Sequence, residues 1–349
     1  MHILKGYTKQ EISWMMYDWA NSAHSVIIVT LLPIFFDTVA GYTADSVSSM
    51  STWGYATSIA MLIVALAAPF LGVFGDIRGM RKKLFRFFML LGVAACAGMA
   101  FTPGMDFTSG PVAAGKVASL ILVLYIVSVI GFDASAIYYD AFLTDVTTED
   151  RMDKVSTMGY GLGYIGGSTI PLLIFLIMNL VGVPMLTCLA FVFGLTAVWW
   201  LAFSLPLLKN CEQTSGKPYE KGDVARSIKG VGTTIKEIIA NKPMLIYILS
   251  YFFYIDGVHT VISMATTYGT NLGLDSTGMM LALLLVQILG LPFCLLYIKC
   301  SEKFGARTMV GFGICVYMFI CIFAFFMNSL WQFWVLAVLC ATSQGGIQA

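Results

Sequence analysis

Ten long apolar runs separated by short polar stretches organise this chain. They lie near residues 12–36, 50–74, 84–101, 116–139, 155–178, 184–206, 243–269, 277–299, 308–328 and 331–349. A helix needs roughly 20 predominantly apolar residues to cross a bilayer, and most of the runs reach that length. Helices satisfy their own backbone hydrogen bonds where there is no water to do so. Runs such as Leu120 to Ile130 are apolar on every side, and the alternating ten-residue segments of a transmembrane barrel are absent. The pattern predicts an all-α polytopic membrane protein with about ten transmembrane helices.

Composition names the solvent. The 349 residues are 58% hydrophobic and 11% charged, with a mean hydropathy of +0.84, and so much apolar surface cannot hide inside one water-soluble core. The formal net charge of +1 conceals an asymmetry. If the N-terminus is cytoplasmic, every one of the 20 Lys and Arg residues except Lys116 falls on the cytoplasmic side, as the positive-inside rule requires. The first run is too long for a signal sequence, carries Asp18, Asn21 and His24, and is followed by no small-x-small cleavage pattern, so it is expected to be retained. With no long loop or sorting signal, the expected location is the plasma membrane. Cys96, Cys188, Cys211, Cys294, Cys300, Cys315, Cys321 and Cys340 form no CxxC pair or Cys/His cluster; they read as apolar packers, with no metal site or cofactor expected.

The runs divide into two halves. Residues 1–208 are expected to form an N-terminal six-helix bundle, 209–242 a cytoplasmic linker, and 243–349 an incomplete C-terminal bundle of about four helices. In the linker, Val224, Ile228, Val231, Ile235 and Ile238 recur at helical spacing, with Arg226, Lys229 and Lys236 off the stripe. That predicts an amphipathic helix on the inner leaflet or against the bundle ends, a plain tether being the competing reading. Asp76-Ile-Arg78-Gly79-Met-Arg81 follows the second span, and Glu302-Lys-Phe-Gly305-Ala-Arg307 follows the eighth. An acid-x-x-Gly-x-basic pattern repeated six spans later predicts a pseudo-twofold repeat. Glycine permits a tight turn. The acid is expected at the start of the next helix, where it meets the positive end of the dipole. The basic residues, Lys82 among them, are expected at anionic headgroups. Such a loop would latch one conformation and release another.

Ionisable groups inside spans cost roughly 2.5–3.5 kcal/mol each on insertion scales, so they face a cavity or one another. Trp14, Asp18, Asn21 and Ser25 share a helix face at spacings of four, three and four, a face suited to a zwitterion or a coupling proton; a structural cap is the alternative for Asp18. Asp133 and Asp140 lie seven apart in the fourth span. Asp133 is the deeper candidate for proton exchange, and Asp140 is expected to pair with the basic latch. Asp256 and His259 sit three apart with Ser263 continuing their face, readable as a proton relay or as an ion pair between helices. Tyr247, Tyr251 and Tyr254 line one face and either stack on substrate or pack. His24 reads as a satisfied interior histidine. Gly159, Gly163 and Gly167 have the small-xxx-small spacing of close helix contact in lipid. The overlapping GxGxxG match at Gly161 to Gly166 follows no strand and is not a dinucleotide site. HExxH, P-loop and GxSxG motifs are absent, and no enzyme or nucleic-acid binder is expected.

Gly72-Val-Phe-Gly-Asp76-Ile-Arg78-Gly79-Met-Arg81-Lys82-Lys83 resembles the loop signature of the major facilitator superfamily (MFS), which lies between its second and third helices. Within that superfamily, Trp14-Met-Met-Tyr-Asp18-Trp-Ala-Asn21-Ser22-Ala resembles the opening signature of the vacuole effluxer Atg22-like group, also called UMF1. Tyr139-Asp140-Ala-Phe-Leu-Thr-Asp145, the stretch Gly159 to Gly167, and Gln344-Gly345-Gly346-Ile-Gln348-Ala349 are similar to the same group. The resemblance implies an MFS fold of two helical bundles and twelve helices, of which about ten are present, so the sequence is expected to be C-terminally truncated. It further implies a monomeric secondary transporter that exports small amino acids, with protons as coupling ions. A channel or scramblase-like pore and a non-transporting receptor of the same fold are the competing readings.

Overall fold

The computed structural model describes residues 6–43, 48–216, 218 and 223–348, without the side chains of Glu302 and some others. The first apolar run is two helices, α1 (Lys9–Thr30) and α2 (Leu32–Ala40). Pro33, in the first turn of α2, lacks an N–H and cannot continue the α1 hydrogen-bond ladder. At the other end of α1, Thr8 and Glu11 form a capping box: Thr8 Oγ1 accepts from Glu11 N–H and Glu11 Oε2 accepts from Thr8 N–H. Then follow α3 (Ser49–Gly75), α4 (Arg81–Met99) and α5 (Pro111–Val146). The 36 residues of α5 extend about 54 Å at 1.5 Å per residue, well beyond the apolar core of a bilayer.

The fifth span is built from α6 (Met152–Leu162), a π-helical turn (Gly163–Ser168) and α7 (Thr169–Leu180). Thr169 Oγ1 donates to Tyr164 O at 2.7 Å across this wider turn. The remaining helices are α8 (Met185–Asn210), α9 (Asp223–Ala240), α10 (Lys242–Asn271), α11 (Ser276–Phe304), α12 (Ala306–Phe325) and α13 (Leu330–Gln348). Among the described residues, eight helical segments are long and apolar enough to cross a bilayer, and Ser276–Gly290 and Leu330–Gln344 are two shorter apolar helices. The chain is therefore a multi-pass helical membrane protein. The linker stripe falls on α9, which packs against α3 and α10 with Ile235 exposed and Val231 and Ile238 half-buried.

Apolar packing holds two groups of helices. In α1–α8, one core gathers Tyr17, Phe85, Phe142 and Trp200 toward the end with the basic loops, and another gathers Leu31, Phe35, Trp53 and Phe193 toward the opposite end. A third core joins α10–α13 around Met279, Tyr317 and Phe333. The groups meet at the end away from the basic loops, where Met280 and Leu284 of α11 join the Leu31 core and Met264 packs on it. At mid-span, Tyr164 lies against Gly290.

The repeated loops share their backbone. Gly79 has φ +80° and Gly305 φ +84°, a left-handed conformation that glycine adopts without steric cost. Two features of the expected latch are corrected. Asp76 caps the end of α3 instead of opening the next helix, with its side chain 80% exposed. Arg81 does not reach for headgroups; its side chain is 5% exposed and paired with Asp145. Gly72 has open space where a side chain would be. Arg78 and Arg307 are exposed and Lys82 is half-buried. The Glu302 side chain lies outside the described residues.

Candidate functional site

A cavity of about 740 Å³ lies between the two groups of helices, within the size range of small-molecule sites. Its polar wall is α1 and α5. Asp18 and Asn21, each 8% exposed, and the exposed Ser25 line it from α1, with Tyr139 and Asp140 from α5. Asp18 is held by a short chain of contacts: Tyr139 Oη donates to Asp18 Oδ2 at 2.8 Å, and the Tyr139 ring stacks on Trp14 at 4.3 Å between centroids. Trp14 Nε1 in turn donates to Tyr139 O at 2.9 Å. Trp14 is thus a buried support for the site, not part of the cavity wall.

The glycine row forms the back of this wall. A Cβ on Gly159 would stand 2.4 Å from Asp18 Oδ2, one on Gly163 2.5 Å from Ser22 Oγ, and one on Gly167 2.5 Å from Trp19 O. Only hydrogen at these positions lets the fifth span seat directly on α1 at Asp18. The π turn directs Tyr164 into the cavity and against α11, a position sequence spacing did not disclose.

From the second group, Tyr251 and His259 of α10, Gln287 of α11 and Gln344 of α13 complete the wall. Tyr254 stacks edge-on against Tyr251 at 5.3 Å, behind the lining. Asp256 and His259 are both exposed, but no hydrogen bond or ion pair among the described residues joins them, and Asp256 is not in the wall. Asp133 is half-buried and also outside the wall. His24 is buried as expected, but it lies 4.9 Å from Phe132 and 5.0 Å from Trp200 by ring centroids, and neither ring nitrogen has a hydrogen-bond partner among the described residues.

The basic loop finds its partner elsewhere than expected. Asp140 faces the cavity; Asp145, five residues on, takes Arg81. Arg81 Nη1 also donates to Ala141 O at 3.0 Å and Ser215 Oγ at 3.2 Å. Asp145 Oδ1 accepts from the backbone N–H and the hydroxyl of both Thr214 and Ser215. Gln213 Oε1 accepts from Gly79 N–H at 2.8 Å, while Gln213 Nε2 donates to Gly75 O at 3.0 Å. The first residues after α8 are therefore part of the same cluster.

A second cluster escaped sequence reasoning. Arg151 forks onto Glu11, with Nε to Oε1 and Nη2 to Oε2 both at 2.9 Å, and Thr147 Oγ1 donates to Glu11 Oε1 at 2.7 Å. The Thr8-x-x-Glu11 capping spacing was its one legible signal. Glu11→Ala removes the cap and these charge-assisted bonds and is expected to cost about 2 kcal/mol. Unfolding of the detergent-solubilised protein measures it, and wild-type stability would exclude a structural role for the cluster.

With this geometry in place, the comparisons identify the family. The chain matches the family described as vacuole effluxer Atg22 like over residues 7–349. The chain belongs to that family. It is 41% identical over 355 residues to an uncharacterized MFS-type transporter, YxiO, of Bacillus subtilis, an alignment covering 99% of this chain and 80% of that protein. Autophagy-related protein 22-1 of Penicillium rubens is 24% identical over 48% of this chain and 30% of its own length. Among solved structures, a bacterial homolog of the human lysosomal transporter Spinster, inward-facing and unoccupied, has a TM-score of 0.60 at 16% identity, covering 97% of this chain and 73% of that one. The E. coli xylose transporter XylE, partially occluded and inward open, has a TM-score of 0.58 at 15% identity, covering 97% and 85%. The fold is that of the major facilitator superfamily, and the chain is an MFS-type membrane transporter.

Proposed function

We propose that this protein is a secondary carrier that moves small amino acids through the described cavity by alternating access, exporting them from the cell with protons as coupling ions. The observation that carries the reading is one cavity walled by both groups of helices, with the Asp18–Tyr139 pair on one side and Tyr251 and His259 on the other. A site shared between two bodies changes exposure when they rock. Residues 1–208 and 243–349 are the two bodies in this reading, 209–242 is the linker between them, and the basic loops face the cytoplasm of a plasma-membrane protein.

The test is efflux from proteoliposomes loaded with mixed amino acids, with and without an imposed pH gradient. Saturable, stereoselective loss that the gradient accelerates is expected; loss rising linearly with concentration would replace the carrier by a pore. Asp18→Asn removes an intramembrane carboxylate held by the cavity-lining Tyr139. That variant is expected to lower flux about tenfold or more, the scale set by about 1.4 kcal/mol, while the protein remains in the membrane. Wild-type flux in Asp18→Asn would reduce Asp18 to a helix-packing role.

A further inference from the structure

The charge of the cavity wall is one-sided. Two carboxylates line it, Asp18 and Asp140, and no Lys or Arg does so among the described lining residues. Asp18 accepts one hydrogen bond, from the neutral Tyr139 hydroxyl. Asp140 is exposed on the wall and has no hydrogen bond or ion pair among the described residues. Two arginines of α1–α8 are committed elsewhere: Arg81 is paired with Asp145 and Arg151 with Glu11. The histidine among the described lining residues is His259 of α10.

Asp18 is a buried carboxylate whose partner, the Tyr139 hydroxyl, is neutral, an arrangement that is costly unless a cation arrives. The rest of the wall suits a cation as that partner. Tyr251, Tyr268, Phe325 and Phe333 present aromatic rings, whose faces attract ammonium and guanidinium groups. Asn21, Ser25 and Gln287 supply neutral acceptors for N–H donors. An anionic solute would meet two like charges in a low-dielectric space, which is how sites reject a wrong partner. At about 740 Å³ the space accommodates a solute with a long side chain.

We infer that the cavity selects a small organic solute of net positive charge, carrying a primary ammonium or guanidinium group, over zwitterions and anions of similar size. The inference rests on the carrier reading and narrows its substrate class. Asp140 is the residue that sets the preference, because it faces the cavity with its charge uncompensated. Asp18, bonded to Tyr139, forms the second contact.

The full chain in proteoliposomes is assayed for exchange of labelled lysine, leucine, glutamate and 1,5-diaminopentane at equal concentration. Lysine and the diamine are expected to exchange at least tenfold faster than leucine, with glutamate slowest. Asp140→Asn is expected to bring the lysine-to-leucine ratio toward one, in protein shown to be monodisperse by gel filtration. Leucine exchanging as fast as lysine would overturn the charge selectivity and leave the amino-acid carrier standing. Exchange of the diamine without any amino acid would support the charge selectivity and overturn the amino-acid reading. Exchange of none of the four would overturn both, and an unchanged ratio in Asp140→Asn would overturn the role of that residue.

Discussion

Asp145→Ala is expected to destabilise the protein by about 3–5 kcal/mol, because it removes the close anion of a buried guanidinium and leaves only the exposed Asp76 at 3.9 Å. The Arg81 side chain is 5% exposed and that of Asp145 fully buried, so the intact pair is shielded from water. Asp145 also holds the chain segment that leaves α8, through both Thr214 and Ser215. Its removal therefore frees the start of the linker as well as the loop between α3 and α4. Equilibrium unfolding in mixed micelles measures the loss. The double variant Arg81→Met/Asp145→Leu is expected to recover the part due to the unpaired charge, because two apolar groups need no ionic partner, while the bonds to Thr214 and Ser215 stay lost. A loss below about 1 kcal/mol in Asp145→Ala, the size of an exposed ion pair, would mean that the cluster is solvated. Gln213→Ala, which removes the bonds to Gly79 and Gly75, is expected to loosen the linker without exposing a charge, since Asp145 still holds Thr214 and Ser215, and to cost correspondingly less.

The second large effect concerns the seat of the fifth span on α1. Gly159→Ala places a methyl group 2.4 Å from Asp18 Oδ2, a separation at which the carboxylate or the helix must move. Overpacking of this kind costs about 1–3 kcal/mol, and here the displaced group is the acid proposed to serve transport. Flux in Gly159→Ala is expected to fall about tenfold or more, and the hydrogen bond from Tyr139 to Asp18 to be strained or lost. Gly163→Ala acts on Ser22 Oγ and the Asp18 carbonyl and is expected to behave similarly. Gly115→Ala, with no atom near the added Cβ, is the matched control and is expected to retain wild-type flux. Equal flux in Gly159→Ala and Gly115→Ala would show that the close approach at Asp18 has no bearing on transport.

The apolar runs revealed the helices because lipid imposes a simple length rule, but they located helix ends poorly. The fourth run stops at residue 139 by hydropathy, whereas α5 continues to Val146. Asp140 and Asp145 mark polarity, not termination, since a helix ends where its hydrogen bonds are capped. Five residues at 100° each place the two acids on different faces of α5, one toward the cavity and one toward Arg81; the expectation for Arg81 fell on Asp140, because nothing in the spacing says which face meets the loop. Asp256 and His259 show the converse limit, for spacing of three puts side chains on one face without making them touch. The glycine row was legible as close packing, although its partner on α1 was not, because small-xxx-small spacing does not name the opposing helix. The π turn at Gly163–Ser168 has no sequence pattern, so the placement of Tyr164 against Gly290 was not legible.

The account depends most on two bodies exchanging access to one cavity. Spin labels at Thr144 and Met244, exposed at the basic-loop ends of α5 and α10, and in a second protein at Tyr42 and Leu272, exposed at the opposite end, measure that exchange directly by pulsed distance spectroscopy. On addition of a saturating amino-acid mixture, the two distances are expected to change in opposite directions, one end closing as the other opens. Two distances that stay fixed, or that change in the same direction, would contradict alternating access in this protein.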